Sequence, residues 1–205
     1  MHHGIILLYR MNRLLDIAFS SLGLLVTAVF YPFAAFAIKL ETHGPVIVKL
    51  DRVSAGKIIK VYKFRTMVEN AHAMKPLLKN LNERRDGPFF KIKNDPRLTR
   101  VGKIIRKFRL DEFPQFFNVF KGELAMVGPR PHEPEEVIHY PEEYKHLLLA
   151  KSGLTGLSQV SGASGLPFLK ELQLDSDYVK NKSLRLNLKI IAKTAAIIFF
   201  DPTAV

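Results

Sequence analysis

Two adjacent carboxylates, Asp111 and Glu112, follow the most basic stretch of the chain. Between residues 91 and 109 the only acidic side chain is Asp95, and the basic ones are Lys91, Lys93, Arg97, Arg100, Lys103, Arg106, Lys107 and Arg109. Because Pro114 follows closely, Asp111 fits the N-cap of a helix whose first turn holds that proline. A carboxylate beside bound phosphate can instead act as a nucleophile or hold a divalent cation. The residues alone leave both roles open.

A second candidate is Arg130, which lies between Pro129 and Pro131. An arginine on so rigid a backbone loses little entropy on binding, and its guanidinium matches the geometry of phosphate. Asp175 and Asp177 supply further carboxylates, although aspartates of this kind are commonly surface residues. The sequence contains no P-loop, no GxGxxG, no HExxH and no Ser-His-Asp signature. These residues together indicate chemistry on a phosphorylated substrate.

The composition agrees with an anionic partner. The 205 residues include 31 Lys and Arg against 19 Asp and Glu, a formal net charge of +12. Such a charge favours nucleic acid, anionic lipid or a phosphorylated substrate as the partner. The absence of cysteine excludes disulfides, thiolate metal sites and cysteine nucleophiles. A mean hydropathy of +0.04 with 24% charged residues requires apolar and charged residues to be segregated along the chain.

The apolar residues are concentrated near the N-terminus, where Ile17 to Ile38 form a run of 22 residues without a charge. As a helix this run would be about 33 Å long, close to the hydrocarbon thickness of a bilayer. It exceeds the apolar run of a signal peptide, and no cleavage site of small residues follows it. Pro32 must kink or break the helix. Two interpretations remain: a kinked single span, or a re-entrant segment that enters near Leu14 and leaves near Leu40 on the same face.

The elements that must position the candidate residues are mostly helical. Val- and Ile-rich runs on either side of Ser54-Ala55-Gly56 predict a β-hairpin. Apolar spacing predicts helices over the ranges 67–86, 98–108 and 113–122, whereas 128–134 and 152–165 read as loops. The range 184–200 is an apolar helix with a basic stripe that lies either on an anionic membrane or on the domain core. We therefore expect an α+β, mainly helical fold, with a membrane segment at 1–42 and a second domain at 43–205.

Several ordered motifs resemble those of the bacterial sugar transferase family, the monotopic polyprenyl-phosphate phosphoglycosyl transferases, and specifically the members that initiate exopolysaccharide and O-antigen. The resemblance runs from about Arg13 to Lys193. The motifs are Lys63-Phe64-Arg65-Thr66-Met67, Leu110-Asp111-Glu112-Phe113-Pro114-Gln115, Met126-Val127-Gly128-Pro129-Arg130-Pro131, Gly153-Leu154-Thr155-Gly156-Leu157, Gln159-Val160-Ser161-Gly162, and Asp175 with Tyr178-Val179 and Asn181.

The resemblance implies a reaction and a place in the cell. A UDP-sugar would give its sugar 1-phosphate to polyprenyl (undecaprenyl) phosphate through a covalent phospho-sugar aspartate, releasing UMP, in the first membrane step of surface polysaccharide assembly. It implies Mg²⁺ as the cofactor and a catalytic domain on the cytoplasmic face of the bacterial inner membrane, in contact with anionic lipids. No nucleic acid partner is expected, and a homo-oligomer is left open.

The resemblance also implies roles for individual residues. Asp111 would be the nucleophile, Glu112 its partner in holding the metal or handling protons, and Asp175 a further acidic residue of the catalytic centre. Substrate phosphates would be bound by Arg106, Pro129, Arg130 and Lys151, and the substrate loop would include Arg65 and Gln159. Pro32 would be the break in a re-entrant helix, which favours re-entry over a span.

Three departures from the family pattern bear on this interpretation: Ala163 stands where an arginine is common, Lys151-Ser152 where a basic residue precedes proline, and Tyr31-Pro32 where Ser-Pro is common. Larger members also carry a multi-span region before the catalytic part, so the chain is either a whole short protein or a catalytic part. Two other functions stay open: a non-catalytic, membrane-anchored basic domain that binds anionic lipid or nucleic acid, and an inactive scaffold of the same family.

Overall fold

The structure is a computed structural model that describes residues 2–162 and 165–200. Side chains are described from residue 10 to 162 and from 165 to 198. Ala163 lies outside the described residues. The helices are α1 (His2–Glu41), α2 (Arg100–Lys107), α3 (Gln115–Lys121), α4 (Pro134–Val137), α5 (Leu157–Val160), α6 (Phe168–Lys180) and α7 (Leu184–Phe200). The strands are β1 (Ile47–Ser54), β2 (Lys57–Phe64), β3 (Ala125–Val127) and β4 (Gly153–Thr155), and the 3-10 segments are Pro76–Leu81, Leu110–Glu112 and Glu142–Leu149. The predicted α+β, mainly helical class is confirmed.

The predicted apolar segment is part of one long helix. α1 begins before Ile17 and continues through Pro32 to Glu41. Among the described residues it is the one helix long and apolar enough to cross a membrane, by length and composition. Seven large apolar side chains of α1 are at least 60% exposed: Leu14, Leu22, Leu25, Val29, Phe33, Phe36 and Leu40. An apolar surface of this extent is typical of a segment that contacts lipid.

Residues of α1 on both sides of the apolar run are bound to the rest of the chain. Near its start, Arg13 donates to the carbonyl oxygens of Val119 (2.8 Å) and Phe120 (2.6 Å). Asp16 accepts a hydrogen bond of 2.8 Å from the amide of Met126. These contacts attach the first half of α1 to α3 and β3.

The far end of α1 is attached to α2. The Glu41 carboxylate accepts from the amides of Arg100 (2.6 Å) and Val101 (2.8 Å), which are the first two amides of α2. Helix-starting amides have no partner within their own helix, so a carboxylate there is favourable. Ile38 packs in a buried cluster with Phe64 and Ile105. The apolar segment is therefore held at both ends by one globular body.

The predicted β-hairpin is confirmed. β1 and β2 pair antiparallel from Ile47 opposite Phe64 to Ser54 opposite Lys57. Ala55 and Gly56 both have positive φ (50° and 72°), the combination required by a two-residue type I′ turn. The end of β2, residues 63 and 64, thereby lies next to the segment that contains Asp111 and Glu112.

The helix pair after residue 98 is confirmed, but the predicted N-cap is wrong. α2 is capped by Thr99, whose hydroxyl accepts from the amide of Gly102 at 2.8 Å. α3 begins at Gln115 with Pro114 at its N-cap position. Asp111 instead lies in the 3-10 turn Leu110–Glu112. The proline, which lacks an amide hydrogen, ends that turn before the α-helix begins, so Asp111 is free of a capping role.

Two other expectations are corrected. The range 67–86 is not one helix but turns followed by the 3-10 segment Pro76–Leu81, since Pro76 cannot donate the helical hydrogen bond. The range 152–165, expected to be a loop, contains β4 and α5. β4 pairs in parallel with β3, and a Cβ on Gly153 would lie 2.1 Å from the amide nitrogen of Gly128. Only glycine allows the two backbones to approach so closely.

The main core lies where these short strands meet α3, α6 and α7. Val119, Leu124, Tyr178 and Ile190 are each at most 2% exposed and belong to one apolar cluster. α7 therefore packs on the core through one face, while its basic stripe (Arg185, Lys189 and Lys193) is exposed. The core fixes α6 beside the loop that follows β3, which is where the candidate residues meet.

Candidate functional site: a carboxylate pair among basic side chains

Asp111 and Glu112 lie in the short turn that joins α2 to α3. Arg109, just before the turn, adopts the left-handed conformation (φ 54°, ψ 20°), which is uncommon for a residue with a side chain and redirects the chain sharply. Lys63, at the end of β2, reaches both carboxylates. Its Nζ lies 2.6 Å from Glu112 Oε1 and 3.6 Å from Asp111 Oδ2. The two acids therefore share one ammonium group.

The two carboxylates differ in their ionisation. Asp111 is 8% exposed, and burial raises its pKa, while the positive charges of Lys63 and Arg106 act in the opposite direction. Burial also acts to raise the pKa of Glu112, but Lys63 and Arg130 together hold it below its usual value. Of the two, Asp111 is therefore the member that takes up a proton more easily.

Arg106 reaches this pair from α2. Its Nε donates to the hydroxyl of Thr66 at 2.9 Å, which orients the guanidinium. A Cβ on Gly102 would lie 1.9 Å from the carbonyl oxygen of Thr66, so α2 packs with its bare backbone against the end of the hairpin. The predicted phosphate ligand Arg106 and the predicted nucleophile Asp111 are thereby brought together.

Arg130, in the loop that follows β3, acts on the pair through its charge. Its own backbone amide donates to Asp175 Oδ2 at 2.9 Å, and its Nε lies 3.8 Å from Glu171 Oε1. Its side chain is 40% exposed, so part of the guanidinium faces outward. The Arg130 charge also acts on Glu112. Pro129 and Pro131 hold the backbone on both sides, as the sequence suggested.

Asp175 is a buried carboxylate on α6. It is 1% exposed, and burial raises its pKa to about 6 against the opposing effects of the Ser158 hydroxyl and the Arg130 amide. Its Oδ1 has no hydrogen-bond partner among the described residues. A buried group of this kind that changes charge near neutral pH is typical of a functional site.

Three predicted site residues, Arg65, Gln159 and Lys151, make their contacts away from the carboxylate pair. Arg65 is buried and donates to the carbonyl oxygens of Thr42 (3.0 Å), His43 and Gly44 (3.3 Å), just after α1. The amide of Gln159 donates to the Leu154 carbonyl at 3.1 Å. Within the described part of the chain, neither residue forms a hydrogen bond or ion pair with the carboxylate pair.

The side chain of Lys151 lines a separate small cavity of about 60 Å³. The other residues that line it are Asn12, Arg13, Asp16, Ala125, Val127, Lys182 and Asn187. The charge of Lys151 acts there on Asp16 and Lys182. In this structure Lys151 is therefore grouped with the first half of α1.

Sequence reasoning missed Lys63 and Glu171 as members of the site. Lys63 belongs to a recognised motif, but 48 positions separate it from Asp111, so no spacing argument connects the two. Glu171 precedes Asp175 by four residues, which places both acids on one face of α6. That i,i+4 spacing was the available signal for Glu171.

The acids present fit Mg²⁺ in one particular way. The described residues contain no group of three or more His, Asp or Glu side chains that could hold a metal ion by themselves. Mg²⁺, however, is usually bound through one or two carboxylates together with substrate phosphates and water. Asp111 and Glu112 supply two hard oxygen donors beside basic groups suited to phosphate, so the donor set suits the ion.

Comparison with known proteins shows the family of the chain. The model of the family described as "Bacterial sugar transferase" matches residues 8–201. The chain belongs to this family. The match includes α1, the carboxylate pair, Arg130 and Asp175, so the residues described above all lie in the part of the chain that defines the family.

Named relatives cover most of the chain. An undecaprenyl-phosphate galactose phosphotransferase of Salmonella typhimurium strain LT2 is 39% identical over 92% of this chain and 40% of its own length. A UDP-glucose:undecaprenyl-phosphate glucose-1-phosphate transferase of Klebsiella pneumoniae is 36% identical over 94% of the chain and 41% of its own. The exopolysaccharide production protein ExoY of Rhizobium meliloti strain 1021 is 33% identical over 89% of the chain and 83% of its own. The chain thus spans about two fifths of the length of the first two.

Proposed function

We propose that this chain transfers a sugar 1-phosphate from a UDP-sugar to a polyprenyl phosphate such as undecaprenyl phosphate, as a step in surface polysaccharide assembly. The observation that carries the proposal is the pair of buried Asp111 and partly exposed Glu112, on which the charges of Lys63, Arg106 and Arg130 act. Two relatives whose names specify this kind of transfer support it. Their names specify galactose and glucose, so the sugar itself is left to experiment.

The proposed chemistry has two displacements at one phosphorus atom. The Asp111 carboxylate attacks the sugar-bearing phosphorus, a bond from Oδ to phosphorus forms, and the phosphorus–oxygen bond to UMP breaks. An oxygen of the polyprenyl phosphate then attacks the same phosphorus, and the aspartyl bond breaks to regenerate the carboxylate. The products are UMP and a polyprenyl diphosphate sugar. Covalent catalysis of this kind divides one difficult transfer into two easier ones.

The surrounding residues have distinct parts in this proposal. Lys63 and Arg106 favour the ionised form of Asp111, because each acts to lower its pKa against the larger effect of burial. Arg106 and Arg130 neutralise the negative charge of the diphosphate, which otherwise repels the attacking carboxylate. Mg²⁺ held by Asp111 and Glu112 would add further neutralisation of phosphate charge. Asp175 holds the Arg130 backbone through its amide.

We also propose that α1 is re-entrant, with the globular body on the cytoplasmic face of the inner membrane. Arg13 and Asp16 bind α3 and β3, and Glu41 binds α2, so residues on both sides of the apolar run attach to one body. A straight span would separate them across the bilayer. Pro32 supplies the place where the helix can bend. The exposed basic stripe of α7 suits anionic headgroups of that leaflet.

The transfer reaction is tested with the full chain in lipid nanodiscs. The chain is incubated with Mg²⁺, a polyprenyl phosphate and a panel of UDP-sugars, and UMP release is measured for each. We expect release with at least one hexose or acetamido sugar, dependent on the lipid acceptor. A brief incubation with labelled UDP-sugar and no acceptor should leave phospho-sugar on the peptide that contains Asp111. A label on another peptide would show that Asp111 is not the nucleophile. If no UDP-sugar leads to UMP release, the proposed reaction is contradicted, and this is the result expected of an inactive scaffold or a lipid-binding domain.

Membrane topology is tested with single cysteines, since the chain has none of its own. Arg10→Cys and His43→Cys flank the apolar run, and Leu77→Cys, where the parent side chain is 82% exposed, reports the globular body. With an impermeant thiol reagent on intact and on inverted vesicles, we expect all three to label from the same side. Labelling of Arg10→Cys from the opposite side would show a span.

A further inference from the structure

A cluster of three buried polar side chains lies behind Arg130 and has no part in the proposed chemistry. Glu171, His132 and Tyr140 are 2%, 3% and 7% exposed. His132 Nε2 lies 3.0 Å from Glu171 Oε1, and its Nδ1 contacts the Tyr140 hydroxyl. Burying three polar groups costs free energy unless each finds a partner, and here each partner is another member of the cluster.

The ionisation of the neighbours determines the direction of the hydrogen bonds. Burial would raise the pKa of Glu171, but the His132 contact and the Arg130 charge hold it below its usual value, so Glu171 is a carboxylate and only accepts. Burial raises the pKa of Tyr140, so its hydroxyl keeps its proton and can donate. Nε2–H of His132 then donates to Glu171, while Nδ1 accepts from Tyr140. This arrangement fixes both the tautomer and the ring orientation of His132.

The same oxygen of Glu171 that accepts from His132 also faces Arg130. Oε1 lies 3.8 Å from Arg130 Nε, and four residues later on α6 Asp175 accepts from the Arg130 amide at 2.9 Å. α6 therefore holds Arg130 at two points, the backbone and the Nε edge of the guanidinium. The 40% of the Arg130 side chain that is exposed is left for a ligand.

We propose that Glu171, held in place by His132 and Tyr140, is a positioning residue that sets the orientation of the Arg130 guanidinium toward the diphosphate of the donor. The inference rests on the proposed function, because it takes the Arg130 ligand to be the diphosphate of a nucleotide sugar. A bidentate phosphate contact requires the arginine plane to have one orientation, and a buried carboxylate on its Nε edge supplies that constraint.

The alternative is that the cluster only stabilises the fold. Buried ion pairs are by themselves weak evidence for either role, because the desolvation cost can cancel the attraction. The two roles differ in one measurable respect. If Glu171 acts through Arg130, its removal matters only while Arg130 is present, whereas a purely structural role is independent of Arg130.

The test is a double-mutant cycle of Glu171→Gln and Arg130→Ala in the full chain in nanodiscs. The readouts are the KM and kcat for the UDP-sugar and, independently of turnover, the Kd for UDP. We expect Glu171→Gln to raise KM and Kd about 10-fold in the parent, with little change in kcat, and less than about 2-fold in the Arg130→Ala background. The matched control is Glu133→Gln, which removes another ion-paired carboxylate whose partners are Arg52 and Lys75. It should change the Kd for UDP by a similar small factor in both backgrounds.

The outcomes separate the two proposals. Equal losses from Glu171→Gln in both backgrounds, or a parent chain that does not bind UDP, would overturn the positioning role. A parent that binds UDP but releases no UMP would contradict the proposed function alone, and the cycle would still be decided by the Kd. Should Glu171→Gln fail to fold, Tyr140→Phe keeps the carboxylate and removes only the hydroxyl that orients His132. It should raise the Kd about 3-fold in the parent and leave it unchanged in the Arg130→Ala background.

Discussion

The pair Asp111 and Glu112 and the pair Glu171 and Asp175 use two acidic residues in opposite ways. The first pair lies on an irregular turn, and its ion-pair partner is Lys63, a flexible side chain that a ligand can displace. The Glu112 side chain is 39% exposed. The second pair lies one helical turn apart on α6, is at most 2% exposed, and contacts a histidine ring, a backbone amide and an arginine held between prolines. In the proposals above, the first pair meets the substrate, and the second holds the arginine that binds it.

The largest effect should come from Asp111→Asn. The amide is neutral and a poor nucleophile, so turnover should fall by about 1,000-fold or more. Because Asp111 caps no helix in this structure, the unfolding temperature should stay within about 3 °C of the parent. UMP release and thermal unfolding in nanodiscs measure the two. The matched control, Glu112→Gln, should also lower turnover but keep binding of the UDP-sugar. An Asn variant with substantial activity would show that the two acidic pairs do not differ in the way proposed.

Lys63→Met should have the next largest effect, which depends on pH. Lys63 acts to lower the pKa of Asp111, so without it the pKa rises further and a smaller fraction is ionised at a given pH. We expect about a 10-fold loss of kcat on the acid limb of the pH–rate profile, with that limb moved to higher pH and the loss partly recovered as the pH rises. Lys60→Met, which removes an exposed lysine paired with Asp51 on the same hairpin, is the control. A uniform loss at all pH values would indicate that Lys63 acts by some means other than the charge of Asp111.

Asp175→Asn should separate activity from stability. An amide oxygen can still accept from the Arg130 amide, so we expect turnover to fall only about 5-fold. The folded-state pKa of Asp175 is raised to about 6 from 3.8, so between those values the folded chain binds more protons than the unfolded one, and the contribution of Asp175 to stability falls as the pH rises. The Asn side chain does not titrate, so the variant does not lose stability in this way as the pH rises. Its unfolding temperature relative to the parent should therefore be higher at pH 7.5 than at pH 5, and a difference that is equal at both pH values would contradict the burial of a charged Asp175.

The smallest effect should come from Thr66→Val. It keeps the volume of the side chain and removes the hydroxyl to which Arg106 Nε donates. Arg106 keeps its charge but loses one orienting contact, so we expect KM for the UDP-sugar to rise about 3-fold with kcat nearly unchanged. Thr42→Val, which removes a hydroxyl that bonds only to the Ile38 carbonyl at the end of α1, is a suitable control. A large fall in kcat would assign Thr66 a closer part in the reaction.

The sequence predicted the local elements better than the site they build. Val- and Ile-rich runs on either side of a turn located the hairpin, and apolar residues at helical spacing located α2 and α3, because each pattern is a property of neighbouring residues. The capping role of Asp111 was wrong because Pro114 delays the start of α3. β4 was not expected, since its three residues are strand only through pairing with β3 and the close contact between Gly153 and Gly128. Lys63 could be assigned to the site only from the folded structure, because a contact between residues 48 positions apart leaves no pattern in the sequence.

The Glu41 contact has a consequence for how this polypeptide can be divided. Two amides of α2 are bonded to a carboxylate of α1, and the carbonyls of Val119 and Phe120 are bonded to Arg13. In a fragment that starts at residue 43, all four groups would be exposed to solvent. The two helices that flank the Asp111 turn, α2 and α3, would then lose these contacts with α1. α1 therefore also stabilises the Asp111 turn through its contacts with α2 and α3. Deleting α1 to obtain a water-soluble protein would therefore remove contacts that stabilise this turn, together with the proposed membrane segment.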